Sequence, residues 1–366
     1  MRAKHIAVFL PSMAGGGAEK VILNLVNEWV LKEYRVDLVL VRAYGVYLHE
    51  LSPDVNVVDL NAKRTVTSIW PLVKYLRKSR PDTILSAMDH ANIAAICASL
   101  ISTTNVKVAV SVHCVHDAYR KVGSWPSRVL PLIARLFYRL ADFRIAVSKG
   151  VADDIAASYW FSPVKFNKIY NPVDNAKNRT LENDTVLHKW FELESTPVIV
   201  AVGRLHEVKD YPTLLKAFSI IRRRYDARLI ILGEGEKREE LEALSVELGV
   251  ALDVDMCGHV KNPSCYMARA SVFVMSSIYE GFGNVLVEAM ACGTPVVSTD
   301  CPYGPREILK DGKFGKLVPV GNAKLMANAI IDVLRDRPCS DKLKIRAAEF
   351  SVEKVAKEYL DLIMAN

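Results

Sequence analysis

A chain of 366 residues with 51% hydrophobic and 24% charged residues is long enough for two cores and too apolar to be disordered. No uncharged apolar run reaches the ~18 residues that a membrane-spanning helix needs. The net charge of +7 is uneven: residues 1–174 hold 22 Lys and Arg against 14 Asp and Glu, while the remainder is nearly balanced, so nucleic acid, an anionic membrane or an anionic acceptor must each be weighed as a partner of the first half.

Along the chain, His5–Leu10 reads as a buried strand; it is shorter than a signal-peptide core, and no small-residue cleavage site follows it. Gly15, Gly16 and Gly17 come next, then a helix from Ala18 to about Lys32, a strand Val36–Val41 and a short strand Val55–Leu60. Ser68–Arg80 has helical periodicity, Thr83–Ala87 is a strand, Ala91–Ile101 a helix and Val106–Val112 a strand; Ser127–Leu140 (helix) and Phe143–Val147 (strand) complete the series. Strands separated by helical segments of this length imply right-handed βαβ units and a parallel sheet.

Asn171-Pro172-Val173-Asp174 is a turn signal followed by polar residues to Asn183, which marks a linker over 173–183 between a first domain, 1–172, and a second, 184–350. The second repeats the βα pattern with strands Pro197–Val202, Arg228–Leu232, Val272–Met275 and Pro295–Ser298, and helices Tyr211–Arg223, Lys237–Leu248 and Asn284–Ala291. The expected architecture is α/β, two Rossmann-like doubly wound domains whose strand ends face a central cleft. The seven cysteines form no Cys-x-x-Cys pair and no other metal-ligand pattern occurs, so reduced thiols and no metal site are expected.

The strongest local signal is Ser276-Ser277-Ile278-Tyr279-Glu280-Gly281-Phe282-Gly283-Asn284-Val285-Leu286-Val287-Glu288. A strand ends, a glycine-containing loop turns and a helix opens near Asn284, which makes an anion-binding position with carboxylates on either side able to accept from sugar hydroxyls. Glutamate near a helix start is also an ordinary dipole effect. Upstream, Gly203-Arg204-Leu205-His206-Glu207-Val208-Lys209 places two cations after a strand end, where a departing diphosphate would need fixed positive charge; the ordinary fate of such side chains is the solvated surface.

The segment from Glu280 to Glu288, with seven residues between the two glutamates, resembles the E-x7-E signature of retaining GT-B glycosyltransferases of family 4 (glycosyl transferases group 1), and Gly203–Lys209 is similar to that family's Gly-Arg-Leu-x-x-x-Lys segment. Asp210 departs from the pattern, since relatives often have Gly or Asn there. The resemblance extends along the chain to Gly15-Gly16-Gly17-Ala18-Glu19, to the strand-end His113 (His116 being the other candidate), to Gly258-His259-Val260, to Leu232–Gly235 and to the helix Val352–Ile363 within 351–366, which in relatives packs back on the first domain. It implies metal-independent, retaining transfer of a hexose or N-acetylhexosamine from a nucleotide-sugar, UDP rather than GDP. His113, Glu280, Arg204 and Lys209 would be catalytic. Gly16, Arg204, Lys209, Val260, Glu280, Gly281, Phe282, Gly283, Asn284 and Glu288 would bind the donor, Glu288 through its ribose. No cofactor or metal is implied. Relatives with Gly-Gly-Ala-Glu near the start and a segment like Cys301–Glu307 build surface glycans on polyprenyl-diphosphate carriers, so the acceptor would be a lipid-linked glycan.

Lys63, Arg64, Lys74, Arg77, Lys78 and Arg80 surround Ile69, Trp70 and Leu72, and a second mixed stretch runs from Trp125 to Arg139. Both suit attachment to anionic lipid, unless the apolar residues simply pack inside. The expected location is cytoplasmic, peripheral on the inner face of the cell membrane. A sugar-nucleotide epimerase of the same plan, a transferase acting on a soluble acceptor and a silent binding protein are the rival readings; nucleic acid has only the charge in its favour.

Overall fold

The computed structural model describes residues 4–113, 133–134, 136–157, 165–173, 188–192 and 196–365. The chain forms two compact units, one made of residues up to Val173 together with Ser351 onward, the other running from there to Phe350. Each is built on a parallel sheet with helices on both faces.

In the first unit the strands are β1 (His5–Leu10), β2 (Arg35–Leu40), β3 (Asn56–Asp59), β4 (Thr83–Ala87), β5 (Lys107–Val112), β6 (Phe143–Ala146) and β7 (Asn167–Lys168), in the spatial order β3-β2-β1-β4-β5-β6-β7. All six residues of β1 are buried, as befits a central strand covered on both faces. One face carries Val8, Leu38, Leu85, Ala109 and Ile145, and against it pack the helices Gly17–Leu31 and Val352–Ile363. Trp29 is wholly buried there and donates its indole N–H to Ala356 O at 3.1 Å, tying the two helices together.

The second unit holds β8 (Val198–Val202), β9 (Arg228–Leu232), β10 (Val254–Gly258), β11 (Val272–Met275), β12 (Val296–Thr299) and β13 (Lys316–Val318), in the order β10-β9-β8-β11-β12-β13. Ile199, Ala201, Leu229, Ile231, Val274 and Val297 face the helices Tyr211–Arg222 and Ala323–Arg335. The first of these helices starts sharply because Asp210 caps it, accepting from Thr213 N at 3.3 Å, with Pro212 in the opening turn. Asp210 itself has φ +45°, a left-handed conformation that Gly, Asn and Asp tolerate best. The departure from the family pattern at this position is therefore a substitution among residues suited to one backbone shape.

Both sheets reverse direction once. In an open α/β sheet that reversal splays the two loops after the neighbouring strands apart and opens a ligand crevice at the strand carboxyl ends. In the first unit the switch lies between β1 and β4, in the second between β8 and β11. The helix expected at Ser68–Arg80 runs Ile69–Ser79 and ends where Arg80 turns left-handed at φ +44°. Strands β10 and β13 and the helices Lys149–Ala157, Ala323–Arg335 and Ser340–Ala348 are additions to the expected elements. Most of the linker, His116 and the greater part of 125–139 lie outside the described residues. Among the described residues, no helix is long and apolar enough to cross a membrane.

Candidate active site

Because β8 and β11 are neighbours at the switch point, the loops that follow them meet. Lys209, after β8, places Nζ 2.5 Å from Glu280 Oε1, after β11, and Ser277 Oγ donates to the same oxygen at 2.7 Å. The two loops are stitched by their backbones as well: Ile278 N donates to Val208 O at 2.8 Å, and Ser276 Oγ to Lys209 O at 2.6 Å. A third loop supports Glu280 from behind, with Glu280 N donating to Pro302 O at 2.8 Å and Tyr303 N to Glu280 O at 3.1 Å. Gly304 permits this stacking; a Cβ there would lie 1.9 Å from Phe282 O. The carboxylate and the ammonium are thus fixed before any ligand arrives.

Around this pair the chemistry is quiet. The Tyr211 hydroxyl donates to Gly203 O at 2.9 Å, and burial, reinforced by the charge of Glu280, holds its pKa well above the ordinary phenol value. The Cys301 thiol is pushed up to about 12 by burial and, secondarily, by Glu280, so it stays protonated and unreactive. Arg204 is not gathered into the pair. Its side chain is 72% exposed and reaches Glu236 Oε2 at 3.5 Å, which leaves the guanidinium at the surface.

The helix Asn284–Ala291 starts at Gly283, in left-handed conformation at φ +101°, with no side chain capping it. Asn284 and Glu288 are both half-buried and share one helix face, being four residues apart. Phe282 is buried, with its ring packed edge-on to Phe350, whereas Gly281 lies in the half-exposed turn. Val260 sits half-buried in the loop after β10. Near that edge strand the fold brings His188, Asp255 and Cys257 within 4.8 Å of one another, a grouping that sequence spacing did not reveal. His188 Nδ1 accepts from Trp190 N at 3.3 Å, which leaves Nε2 to donate to Asp255 at 3.1 Å.

In the first unit, Gly16 caps the helix Gly17–Leu31, and the Glu19 carboxylate folds over it so closely that a Cβ on Gly16 would lie 2.2 Å from Oε2. His113 follows β5. Its Nε2 lies 3.0 Å from Ser111 Oγ, its Nδ1 is buried with no partner among the described residues, and burial lowers its pKa to about 4, so the ring is neutral at physiological pH. Sequence reasoning missed the loop after β4, the other side of the switch point. There Met88 adopts φ +77°, Asp89 opens the next helix, and Tyr138 donates to Asp89 while Asn92 holds Ser111 O at 3.1 Å. Only the strand order would have singled it out.

The basic stretch of the first unit needs one correction. Trp70, Lys74, Arg77 and Lys78 do form a single exposed stripe on the helix Ile69–Ser79, with Trp70 65% exposed. Leu72, expected among the inserting side chains, is wholly buried with Val73 and Leu76, because the helical turn rotates it inward. Arg77 is also partly engaged, donating to Ile101 O at 3.0 Å and Ser102 O at 3.3 Å, the last carbonyls of the helix Asp89–Ser102. Lys63 and Arg64 are exposed just before the helix.

Comparison with known proteins agrees with the two-unit fold. Residues 183–350 match the family described as Glycosyl transferases group 1, and residues 15–177 match Glycosyltransferase Family 4. The chain is 30% identical, over 99% of its length and all of the relative's, to N-acetylgalactosamine-N,N'-diacetylbacillosaminyl-diphospho-undecaprenol 4-alpha-N-acetylgalactosaminyltransferase of Campylobacter jejuni. It is 27% identical, over 95% of its length and 96% of the relative's, to the lipopolysaccharide core biosynthesis glycosyltransferase LpsE of Rhizobium meliloti. Among solved structures, Anabaena HepE in complex with UDP and glucose superposes with a TM-score of 0.82 at 19% identity, covering 99% of each chain, a likeness of fold. A full-length relative at this identity, two matching halves and two doubly wound sheets lead to one conclusion: the chain belongs to the group 1 glycosyltransferases, enzymes of the GT-B fold whose first unit is of family 4.

Proposed function

We propose that the protein transfers a hexose or N-acetylhexosamine from a UDP-sugar, with retention of configuration and without a metal, to a glycan carried on a polyprenyl diphosphate. The observation that carries the donor half of this reading is the Lys209–Glu280 pair at the β8/β11 switch point, preassembled by Ser277 and the 302–303 backbone. Lys209 and the exposed guanidinium of Arg204 would neutralise the diphosphate as charge develops on it. Glu280 would orient the sugar hydroxyls, with Gly281, Phe282, Gly283 and Asn284 shaping the turn around it. Glu288, on the same helix face as Asn284, would accept from the ribose, and the Val260 loop would border the base. On the family resemblance, Gly16 would bind the donor and His113 would be catalytic. Acceptor deprotonation would fall to the leaving diphosphate in a front-face displacement, since a covalent route of the glycosidase kind needs two carboxylates flanking the bond.

The acceptor class rests on the relatives, one of which is named for a diphospho-undecaprenol substrate. The exposed stripe Trp70, Lys74, Arg77 and Lys78 with Lys63 and Arg64 fits an anionic membrane surface, each basic residue near it contributing roughly 1 kcal/mol. Nucleic acid finds no counterpart motif. The test is to incubate the purified chain, after EDTA treatment, with UDP- or GDP-sugars and a polyprenyl-diphosphate-linked glycan, and to assign the product anomer by NMR. Transfer from a UDP-sugar with the anomeric configuration kept supports the reading. Conversion of the nucleotide-sugar without acceptor would identify an epimerase, and activity that returns only with Mg²⁺ or Mn²⁺ would overturn the metal-free mechanism.

A further inference from the structure

Tyr359 lies on the helix Val352–Ile363, 248 residues after Ser111, and its ring is wholly buried against Trp29, with centroids 6.3 Å apart. Among the described residues its hydroxyl has one partner, Ser111 Oγ at 3.3 Å. Ser111 is fully buried too, and the same oxygen lies 3.0 Å from His113 Nε2. Residues two apart on extended backbone point to the same face, so Ser111 at the end of β5 and His113 just after it come side by side, and the helix covers that face. Asn92 fixes Ser111 further by donating to its carbonyl at 3.1 Å.

A serine hydroxyl has one proton to give. If Tyr359 donates to Ser111 and Ser111 donates to Nε2, every proton inside the core is used, and the imidazole proton must sit on Nδ1. The reverse chain, with Nε2–H donating to Ser111 and Ser111 to Tyr359, leaves the tyrosine O–H without an acceptor at zero exposure. Each arrangement leaves one buried donor unmet: the tyrosine O–H in the core, or Nδ1–H on a residue that is only part-buried at the strand end. Letting Nε2–H and Tyr359 both donate to Ser111 Oγ would strand the serine proton in the core instead. Only Nδ1–H stands where a ligand oxygen can meet it, so the first arrangement is the one that can complete its hydrogen bonds.

We infer that Tyr359 and Ser111 are positioning residues that set the tautomer of His113, so that its ring presents Nδ1–H as a donor to an oxygen of the ligand. This rests on the reading that His113 faces the transferred sugar. In that state Nδ1 cannot take a proton from the acceptor hydroxyl, so His113 acts as a hydrogen-bond donor and not as the base. The last helix of the first unit thereby acts on the site through a hydroxyl relay.

The tautomer can be read directly. Full-length protein labelled with ¹⁵N in its eight histidines would be measured by long-range ¹H–¹⁵N correlation at neutral pH, with His113→Asn assigning the His113 signals. The wild type should show a protonated Nδ1 and an unprotonated Nε2. Ser111→Ala should return the ring to the mixture of free imidazole side chains, in which Nε2–H predominates, and Tyr359→Phe should shift it the same way. Turnover should fall ~10-fold in both, the scale for losing a partner that orients a functional ring, with the donor KM little changed. Ser111→Thr, which keeps the hydroxyl, should restore both readouts. Leu360→Val, which loosens the same helix without touching the relay, should lower the melting temperature alone. A wild-type ring protonated on Nε2, or a tautomer unmoved by Ser111→Ala and Tyr359→Phe, would overturn the relay. A tautomer that shifts as stated while transfer is unaffected would uphold the relay and instead remove His113 from the sugar site.

Discussion

The sharpest test of the proposed donor site is Lys209→Met, which keeps length and apolar stem while deleting the charge. In the structure Lys209 Nζ sits 2.5 Å from Glu280 Oε1, with the two side chains 24% and 15% exposed. At an effective dielectric of ~20, unit charges that close attract by about 7 kcal/mol, but at the bulk-water value the figure is about 2. Desolvation of the half-buried ions offsets most of that, so a net stability loss of ~1–2 kcal/mol, or a fall of ~2–6 °C in Tm, is expected. Ser277 still donates to Glu280, which keeps the carboxylate partly satisfied. Catalysis is the larger effect: loss of a preorganised charge facing a developing anion costs ~10²–10³-fold in kcat. Thermal melts and steady-state transfer assays separate the two quantities. A variant with lowered Tm whose kcat stays within ~3-fold of wild type, well inside what a lost transition-state contact would cost, would reduce Lys209 to a structural prop and refute the clamp.

Other consequences follow from the same geometry. Glu288→Gln should raise the donor KM with little change in kcat, because a ribose contact made equally in ground and transition states affects binding alone; a selective loss of kcat would assign it a different role. Changing Lys63, Arg64, Lys74 and Lys78 to Gln, with the carbonyl-bound Arg77 left in place, should weaken co-sedimentation with anionic vesicles by at least ~10²-fold, and salt should do the same to the wild type. Equal binding to neutral and anionic vesicles would remove the membrane face. In the first unit, Asp37 accepts hydrogen bonds from Tyr75 and Asn56 and lies 3.0 Å from His5 Nε2; burial opposes its ionisation, yet these partners prevail and lower its pKa from 3.8 to about 2. Its folded-state pKa is depressed, so the stability it contributes is present above the unfolded value and lost as pH falls between about 4 and 2. Melts across that window should show this loss in the wild type and a flatter profile in Asp37→Asn; parallel profiles would disprove the assignment.

The strand ends that carry the Lys209–Glu280 pair were legible in the sequence, because buried parallel strands are short unbroken apolar runs and the glycine and glutamate motifs follow them directly. The group 1 family was legible through the resemblance of Glu280–Glu288 and Gly203–Lys209 to its motifs. Less visible was β10, whose Val254-Asp255-Met256-Cys257-Gly258 is a half-buried edge strand without an apolar run. Strand order could not be read from local pattern, and with it went the knowledge that Lys209 and Glu280 touch and that the Met88–Asp89 loop lies at the first unit's own switch point. Leu72 was misjudged for a geometric reason: a cluster of apolar and basic residues says nothing of helix phase, and a rotation of ~100° per residue places Leu72 inside and Trp70 outside. The Ser111–Tyr359 contact joins segments with the whole second unit between them and leaves no sequence trace.

The placement of the helix Val352–Ile363 in the first unit's core also bears on how the protein is made. During synthesis the segment 351–363 emerges after the second unit, so at ~5–20 residues per second the first unit waits on the order of ten to forty seconds for its last layer. Through that interval Trp29 lacks its Ala356 acceptor and Thr83 its bond to Ile363 O, and the apolar strip along Val21, Leu25 and the β-sheet face beneath stays uncovered. The second unit is continuous in sequence, whereas the first stays without its last layer until the segment 351–363 has emerged.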